Sequence, residues 1–470
     1  MKIPQIFFVF AIIFLGFLLR LYRFDGPVAD WHSWRQADTS AVSRIFVEKG
    51  FDILHPKYLD ISNIQTGKDN PQGFRFVEFP LYNIFQAAGF KFIGIFTLEE
   101  WGRLVTIVSS LFSGMFLYLF AKKYFGFITA LFTLMFYMFI PFSIYYGRAI
   151  LPDTSMVMAS LGAVYFFDIY LKKKGNSKYY FLFLSTVLTA SSLLLKPYAV
   201  FFALPQIVLA VGKYKYRVLS RIDLWIHLFI AIAPLVLWRI WMLQFPEGIP
   251  YSLWLLNENG IRFRPSFFYW IFYERITKLI LGYAGIVFVF FSFFKLKKTK
   301  DFMLPLSFIV SSFLYIVVFA TGNVQHDYYQ ILIIPSIALF CGLGASYVYS
   351  KGYVWRMAGL AIFLISMYFG LNQVKDFFNI NNPSLVIAGK EADRILPKDS
   401  RVIAPYGGDT TLLYYINRPG WPSFESDVLH LKKLGATHMV IVRPNESDRN
   451  GFGKMYTIIA QSSDYLILKL

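Results

Sequence analysis

The chain has a single cysteine, Cys341, set inside an apolar run. One thiol excludes a disulfide framework within the chain, and a small buried residue is its ordinary role. Acidic residues are scarce: 28 Asp and Glu against 46 Lys and Arg, for a net charge of +18 over 470 residues. No Gly-Lys-Ser/Thr phosphate loop is present, no Gly-x-Gly-x-x-Gly opens a helix, and no Cys-His cluster occurs. These absences speak against a nucleotide-driven pump and a nucleotide-sugar-binding domain. Neither an internal repeat nor a low-complexity segment is found.

Apolar residues abound instead. They make up 56% of the chain, and aromatics alone are 20%. Apolar runs of spanning length, roughly 17–25 residues, fall near 3–22, 103–121, 127–146, 154–171, 179–195, 198–212, 223–244, 276–294, 303–320, 330–349 and 354–371. The expected fold class is therefore an all-α polytopic membrane protein with about eleven spans. The first run is long, ends in Arg20 and Arg23 and lacks a small-x-small cleavage site, so it reads as a retained span rather than a signal peptide.

The excess positive charge sits in short loops: Lys122-Lys123, Lys172 to Lys174 with Lys178, Lys213 to Arg221, Lys295 to Lys300, and Lys351 with Arg356. Such loops record membrane orientation, and anionic lipid headgroups are their default partner. Nucleic acid is not an expected partner. A twelfth apolar stretch, 80–97, is shorter and carries Asn83, Gln86 and Lys91. If it spanned, every later basic loop would invert the positive-inside rule. It is expected instead as a helix lying in the outer interface. An odd number of spans then puts the N-terminus in the cytoplasm and the C-terminus outside an inner (plasma) membrane.

The expected domains are 1–374, a transmembrane domain whose first outer loop is 23–102, and 375–470, a small extracytoplasmic α/β domain. In the latter Arg401–Pro405, Thr437–Arg443, Tyr456–Ala460 and Tyr465–Lys469 read as strands. Thr410–Asn417 and Ser426–Leu434 read as helices.

Two acids in the first outer loop stand out. Asp38 belongs to a crowded polar stretch with Asp30, His32, Arg35 and Gln36, just before an expected helix from Thr39 to Lys49. The bland alternative for Asp38 is a helix cap. Glu78 lies among Phe76, Val77, Phe79, Leu81 and Tyr82, where an unpaired carboxylate is costly. Its bland alternative is a helix N-terminal acid beside Pro80. Arg103, Arg148, Asp153 and Lys196 flank later spans on the same outer face. Singly, each cation could simply snorkel to the interface; together they suit a phosphate. His326, Tyr328 and Tyr329 end another outer loop, as interface aromatics or as headgroup contacts. His32 and His326 could join the acids at a divalent cation, although no spacing demands one.

His-Ser-Trp-Arg-Gln-Ala-Asp-Thr at 32–39, Glu-Phe-Pro-Leu-Tyr at 78–82, Gly-Arg-Leu at 102–104 and Gly-Arg-Ala-Ile-Leu-Pro-Asp at 147–153 resemble the GT-C membrane glycosyltransferases. The nearest group is family 39: relatives of the dolichyl-phosphate-mannose protein mannosyltransferases and of the aminoarabinose transferase of lipid A. The likeness covers most of 1–200 and thins towards 370. It implies a polyprenyl-phosphate sugar as donor and an inverting transfer on the outer face. It also implies Asp38 as base, Glu78 as second acid and Arg103 as a donor contact. The acceptor stays unknown: Asp38-Thr39 replaces the Asp-Glu of some relatives, and a Lys-Pro-Pro-Leu form is missing. Two other classes stay open, a flippase for lipid-linked sugars and a ligase or polymerase using a lipid-diphosphate donor.

Overall fold

A computed structural model describes residues 4–297, 301–424 and 427–470. Lys2, Ile3, Lys298, Lys300 and Ser426, each part of a run, loop or helix expected from sequence, lie outside them. The chain is mostly helical. Among the described residues, seven helices are long and apolar enough to cross a membrane. Four shorter apolar helices, Gln5–Arg20, Phe127–Phe139, Ile286–Leu296 and Met303–Val318, accompany them. Each of the eleven expected spans has its counterpart in this set. Helices are the natural outcome, because a lipid environment leaves no water to satisfy backbone N–H and C=O groups.

The chain divides into two compact units. The first comprises Met1–Phe24, Arg103–Trp238 and Ser252–Asp376. Its Asp327–Tyr349 segment is almost wholly buried, whereas Ile222–Met242, most of which lies in this unit, is largely exposed and turns Phe229 and Leu237 outward. The buried helix is lined with small residues. A Cβ on Gly342 would lie 2.1 Å from Thr133 Oγ1, and one on Gly344 would lie 1.8 Å from the Phe288 carbonyl. Small residues thus let three backbones close on one another, which is how helices pack where no hydrophobic effect drives them. Arg20, fully buried, ties the end of the first helix into this unit. It donates to the carbonyls of Gly16 (2.9 Å), Met138 (3.1 Å) and Ser143 (3.2 Å), and to Ser110 Oγ (3.0 Å).

The second unit comprises Asp25–Gly102, Arg239–Tyr251 and Phe377–Leu470. At its centre is a five-stranded sheet: β1 Val402–Ile403, β2 Gly420–Trp421, β3 His438–Val442, β4 Thr457–Gln461 and β5 Tyr465–Lys469, in the order β2-β1-β3-β5-β4. β1 runs parallel to β2 and β3, while β5 runs antiparallel to β3 and β4. Alternate side chains feed two cores. Val402, Val440 and Ile467 pack on one face with the Pro383–Ile395 and Thr411–Ile416 helices; Ile403, Met439, Leu466 and Leu468 pack on the other with Val428–Lys433. The four strands expected from sequence are present. β2 and the Pro383–Ile395 and Glu446–Met455 helices were not expected.

The first loop completes this sheet. Ile61 N–H donates to the Gly420 carbonyl (3.0 Å), and Gly420 N–H donates to the Leu59 carbonyl (2.9 Å). Leu59 and Ile61 then enter the two cores. The edge of β2 is thereby covered, which an exposed edge strand requires.

Helix Leu81–Phe92 is amphipathic in an inverted sense. Tyr82, Asn83 and Gln86 are buried, while Phe85 and Phe92 face outward. Asn83 Nδ2 donates to the Thr39 carbonyl (2.6 Å), and Gln86 Nε2 donates to the Leu98 carbonyl (2.9 Å). Its polar residues therefore hold the unit together, and its apolar ones suit a lipid interface.

Candidate active site

The Ser33–Lys49 helix carries most of the polar stretch. It begins at Ser33, six residues before the expected Thr39. Its N-terminal neighbour His32 adopts a left-handed conformation at φ +54°. Asp38 consequently sits inside the helix and not at its start, so the capping role is excluded. Ser33, Arg35 to Ser43 and Phe46 are all buried. This helix is a buried polar element of the second unit.

Asp38 is 1% exposed. Thr410 Oγ1 donates to its Oδ1 at 2.6 Å, and the Arg75 guanidinium lies 2.8 Å from Oδ2. Arg75 is buried too, rests over the Tyr58 ring and donates to Gln65 Oε1 (3.1 Å). A buried carboxylate needs such a partner. Glu78 is matched in the same manner by Arg35, at 2.5 Å, whose other arm reaches Thr39 Oγ1 (3.3 Å). The apolar setting of Glu78 is thus answered by a cation from the polar stretch. Gln36 donates to Asp30 Oδ1 at 2.6 Å. Arg75 and Glu78, with Thr39 and Asn83, line one small crevice of ≈ 10 Å³.

Two further acids surround Asp38. Asp60 accepts from Ser62 N–H (2.8 Å) and from the Tyr58 hydroxyl (3.3 Å). Burial pushes its carboxyl up to about 6; the Ser62 bonds oppose the rise and the Asp38 charge adds to it. Asp409, next to Thr410, is also pushed up by burial, against its bonds to Thr411 and with the Asp38 charge adding to the rise. Asp38 and Asp60 share the Arg75 charge and Asp409 feels Asp38, which makes a locally acidic, water-poor centre.

The remaining sequence candidates belong to the first unit. Arg103 is fully buried and donates to the Phe24 carbonyl (2.7 Å). Arg148, 1% exposed, donates to the Tyr22 carbonyl (2.9 Å). Both therefore hold the chain that follows the first helix. Asp153 accepts from the Tyr198 hydroxyl and has Lys196 Nζ at 3.8 Å. Tyr198 lies against Tyr315, Phe319 and Tyr329. His326 stacks on Tyr328, and Tyr328 stacks on Tyr329 with ring centres 4.6 Å apart. Both tyrosines are buried, so they are not a lipid-facing belt. Asp327 accepts from the Tyr146 hydroxyl (2.5 Å) and has Arg275 at 3.8 Å.

Sequence reasoning missed Arg75, Thr410, Asp60, Asp409 and Asp327 as site residues. Arg75 had a signal, a cation among Phe74 and Phe76 only three positions before Glu78. Thr410 had none, since it lies 372 positions from Asp38. Among the described residues, no group of three or more His, Cys, Asp or Glu side chains could hold a metal ion.

Residues 77–241 match the family model described as dolichyl-phosphate-mannose-protein mannosyltransferase. No curated protein matches the chain. Among solved structures, the chain is similar to ArnT from Cupriavidus metallidurans. The undecaprenyl phosphate-bound form has a TM-score of 0.67 at 13% identity, covering 99% of this chain and 97% of ArnT. The apo form gives 0.69 at 12% identity, with the same coverage. The Archaeoglobus fulgidus oligosaccharyltransferase in complex with zinc and sulfate follows at 0.59 and 11%, covering 94% of this chain and 69% of that protein. At such identities the likeness is one of fold. The family match spans residues 77–241 of the 470, the part that carries Glu78, Arg103, Arg148, Asp153 and Lys196.

Proposed function

We propose that the chain moves a sugar from a polyprenyl-phosphate donor to an acceptor hydroxyl, with inversion, on the outer face of an inner (plasma) membrane. The observation that carries this reading is Asp38, a buried carboxylate held by Arg75 and Thr410 in a chain that shares its fold with a protein crystallised with undecaprenyl phosphate. Asp38 Oδ1 is occupied by Thr410. Oδ2 faces Arg75 at 2.8 Å, and each carboxylate oxygen has two lone pairs, so one is left to take a proton.

Asp38 takes the proton of the acceptor O–H as the acceptor oxygen bonds to the anomeric carbon. The bond from that carbon to the phosphate oxygen breaks, and the polyprenyl phosphate leaves as an anion. A phosphate monoester is a stable leaving group, so cations suffice and no general acid is required. Arg103, Arg148 and Lys196 are the cations assigned to it, with Asp153, His326, Tyr328 and Tyr329 as further donor contacts. Glu78, paired to Arg35, orients the acceptor. In this reading 1–374 is the transmembrane part with a cytoplasmic N-terminus, and 375–470 is extracytoplasmic.

The test is transfer from a radiolabelled polyprenyl-monophosphate sugar by purified protein. Product formation with Asp38→Asn inactive supports the reading. Movement of the lipid-linked sugar across vesicles without transfer points to a flippase, and use of a lipid-diphosphate donor alone points to a ligase.

A further inference from the structure

The helix ends that carry the basic loops enclose a groove that the proposed transfer does not use. It measures ≈ 630 Å³ and lies within the first unit, between the ends of helices Leu98–Phe125, Pro152–Lys172, Ala203–Tyr214 and Met303–Val318. That volume is typical of a small-molecule or lipid site.

One side of the groove is charged. Asp168 is fully buried there, with Lys123 Nζ 2.5 Å from Oδ2 and Lys172 Nζ 3.2 Å from Oδ1. Tyr124 donates to Oδ1 at 2.7 Å, and Lys172 donates to the Tyr124 oxygen at 2.8 Å. This network fixes Lys172 at the wall. Lys213 and Asp301, of opposite charge, line the same groove and are both exposed.

The other side is apolar and continues. Ile207 and Val211 line the groove, and the same two residues line a second cavity of ≈ 460 Å³ with almost wholly apolar walls. They are 54% and 45% exposed and so form an open ridge between the two spaces. A water-soluble ligand gains nothing from the second cavity. A lipid bearing only negative charge gains nothing from Asp301. A cation and an anion at the mouth, with an apolar slot behind, fit a headgroup that carries both charges.

We propose that this groove binds a phospholipid with an ethanolamine-type headgroup. Its phosphate sits on Lys172 and Lys213, its ammonium faces Asp301, and one acyl chain crosses the Ile207–Val211 ridge into the second cavity.

Gly212 provides a direct test. It lines the groove, and a Cβ there would meet nothing within 4 Å. Gly212→Phe therefore starts from an open Cβ position, adds a ring at the groove and improves helix propensity. The measurement is native mass spectrometry of the full chain against equal amounts of phosphatidylethanolamine, phosphatidylcholine and phosphatidylglycerol of matched chains. The wild type is expected to retain the ethanolamine lipid first, and Gly212→Phe to lose about tenfold of that retention. Asp301→Asn, at an exposed position that carries no folding burden, should bind the ethanolamine and choline lipids equally. Undiminished binding by Gly212→Phe overturns the site. An unchanged headgroup ranking in Asp301→Asn, or a wild-type preference for phosphatidylglycerol, overturns the headgroup assignment.

Discussion

Asp38 illustrates how a buried charge is made usable. Thr410 supplies one hydrogen bond and Arg75 a counter-charge, so the carboxylate stays in place inside a water-poor unit. Asp38→Asn keeps the shape and removes the proposed base. Transfer is expected to fall by about 10²–10⁴-fold, the usual scale of general base catalysis, and the melting temperature should fall too, because buried Arg75 loses its paired charge. Thr410→Val removes only the hydroxyl. Turnover should drop about tenfold, while Thr410→Ser restores it, as read by kcat in the same labelled-sugar assay. Asp60 makes a pH prediction. Its folded value of about 6 lies above the ordinary 3.8, so between those values the native state holds more protons than the unfolded one. Stability from this group is therefore present below about 3.8 and lost as pH rises through about 6. Asp60→Asn should melt higher than the wild type above pH 6, and that gap should close towards pH 4 in a thermal melt series.

At the scale of elements, the Ser33–Lys49 helix depends on contacts far along the chain. Arg44 donates to the Tyr414 carbonyl (2.6 Å), lies 3.8 Å over the Tyr414 ring and pairs with Glu99 at 3.2 Å. Arg44→Ala removes all three at once, and a loss of about 1–3 kcal/mol is expected. A lower denaturation midpoint of the second unit would show it, whereas an unchanged midpoint would mean that the helix is held by its apolar neighbours alone. The sequence announced this helix only in part. Its polar residues read as an exposed loop because periodicity cannot reveal that Arg35 meets Glu78, or that Asn83 meets Thr39.

At the scale of the molecule, the first loop and the chain after Phe377 share one unit. Leu59 and Ile61 complete cores built largely from the C-terminal sheet. Removing 377–470 should therefore strip the loop of its packing and Asp38 of its Thr410 bond. The shortened protein is expected to remain in the membrane, to lose transfer, and to be cut by protease within 50–75. A loop that stays resistant would show that it folds without the sheet.

The membrane character, the spans and most of the sheet were legible in the sequence, because each follows from local chemistry. Apolar runs must become helices where water is absent, and short continuous apolar runs such as Val402 to Ala404 or Tyr465 to Leu468 suit strands buried on both faces. Asp38 and Glu78 were visible as acids in unusual company. What surrounds them was not. Arg75 and Thr410 reach Asp38, and Asp60 and Asp409 come within range of its charge, only because a sheet near the end of the chain takes the first loop as its neighbour. Such meetings depend on long-range packing, and no spacing along the chain encodes them.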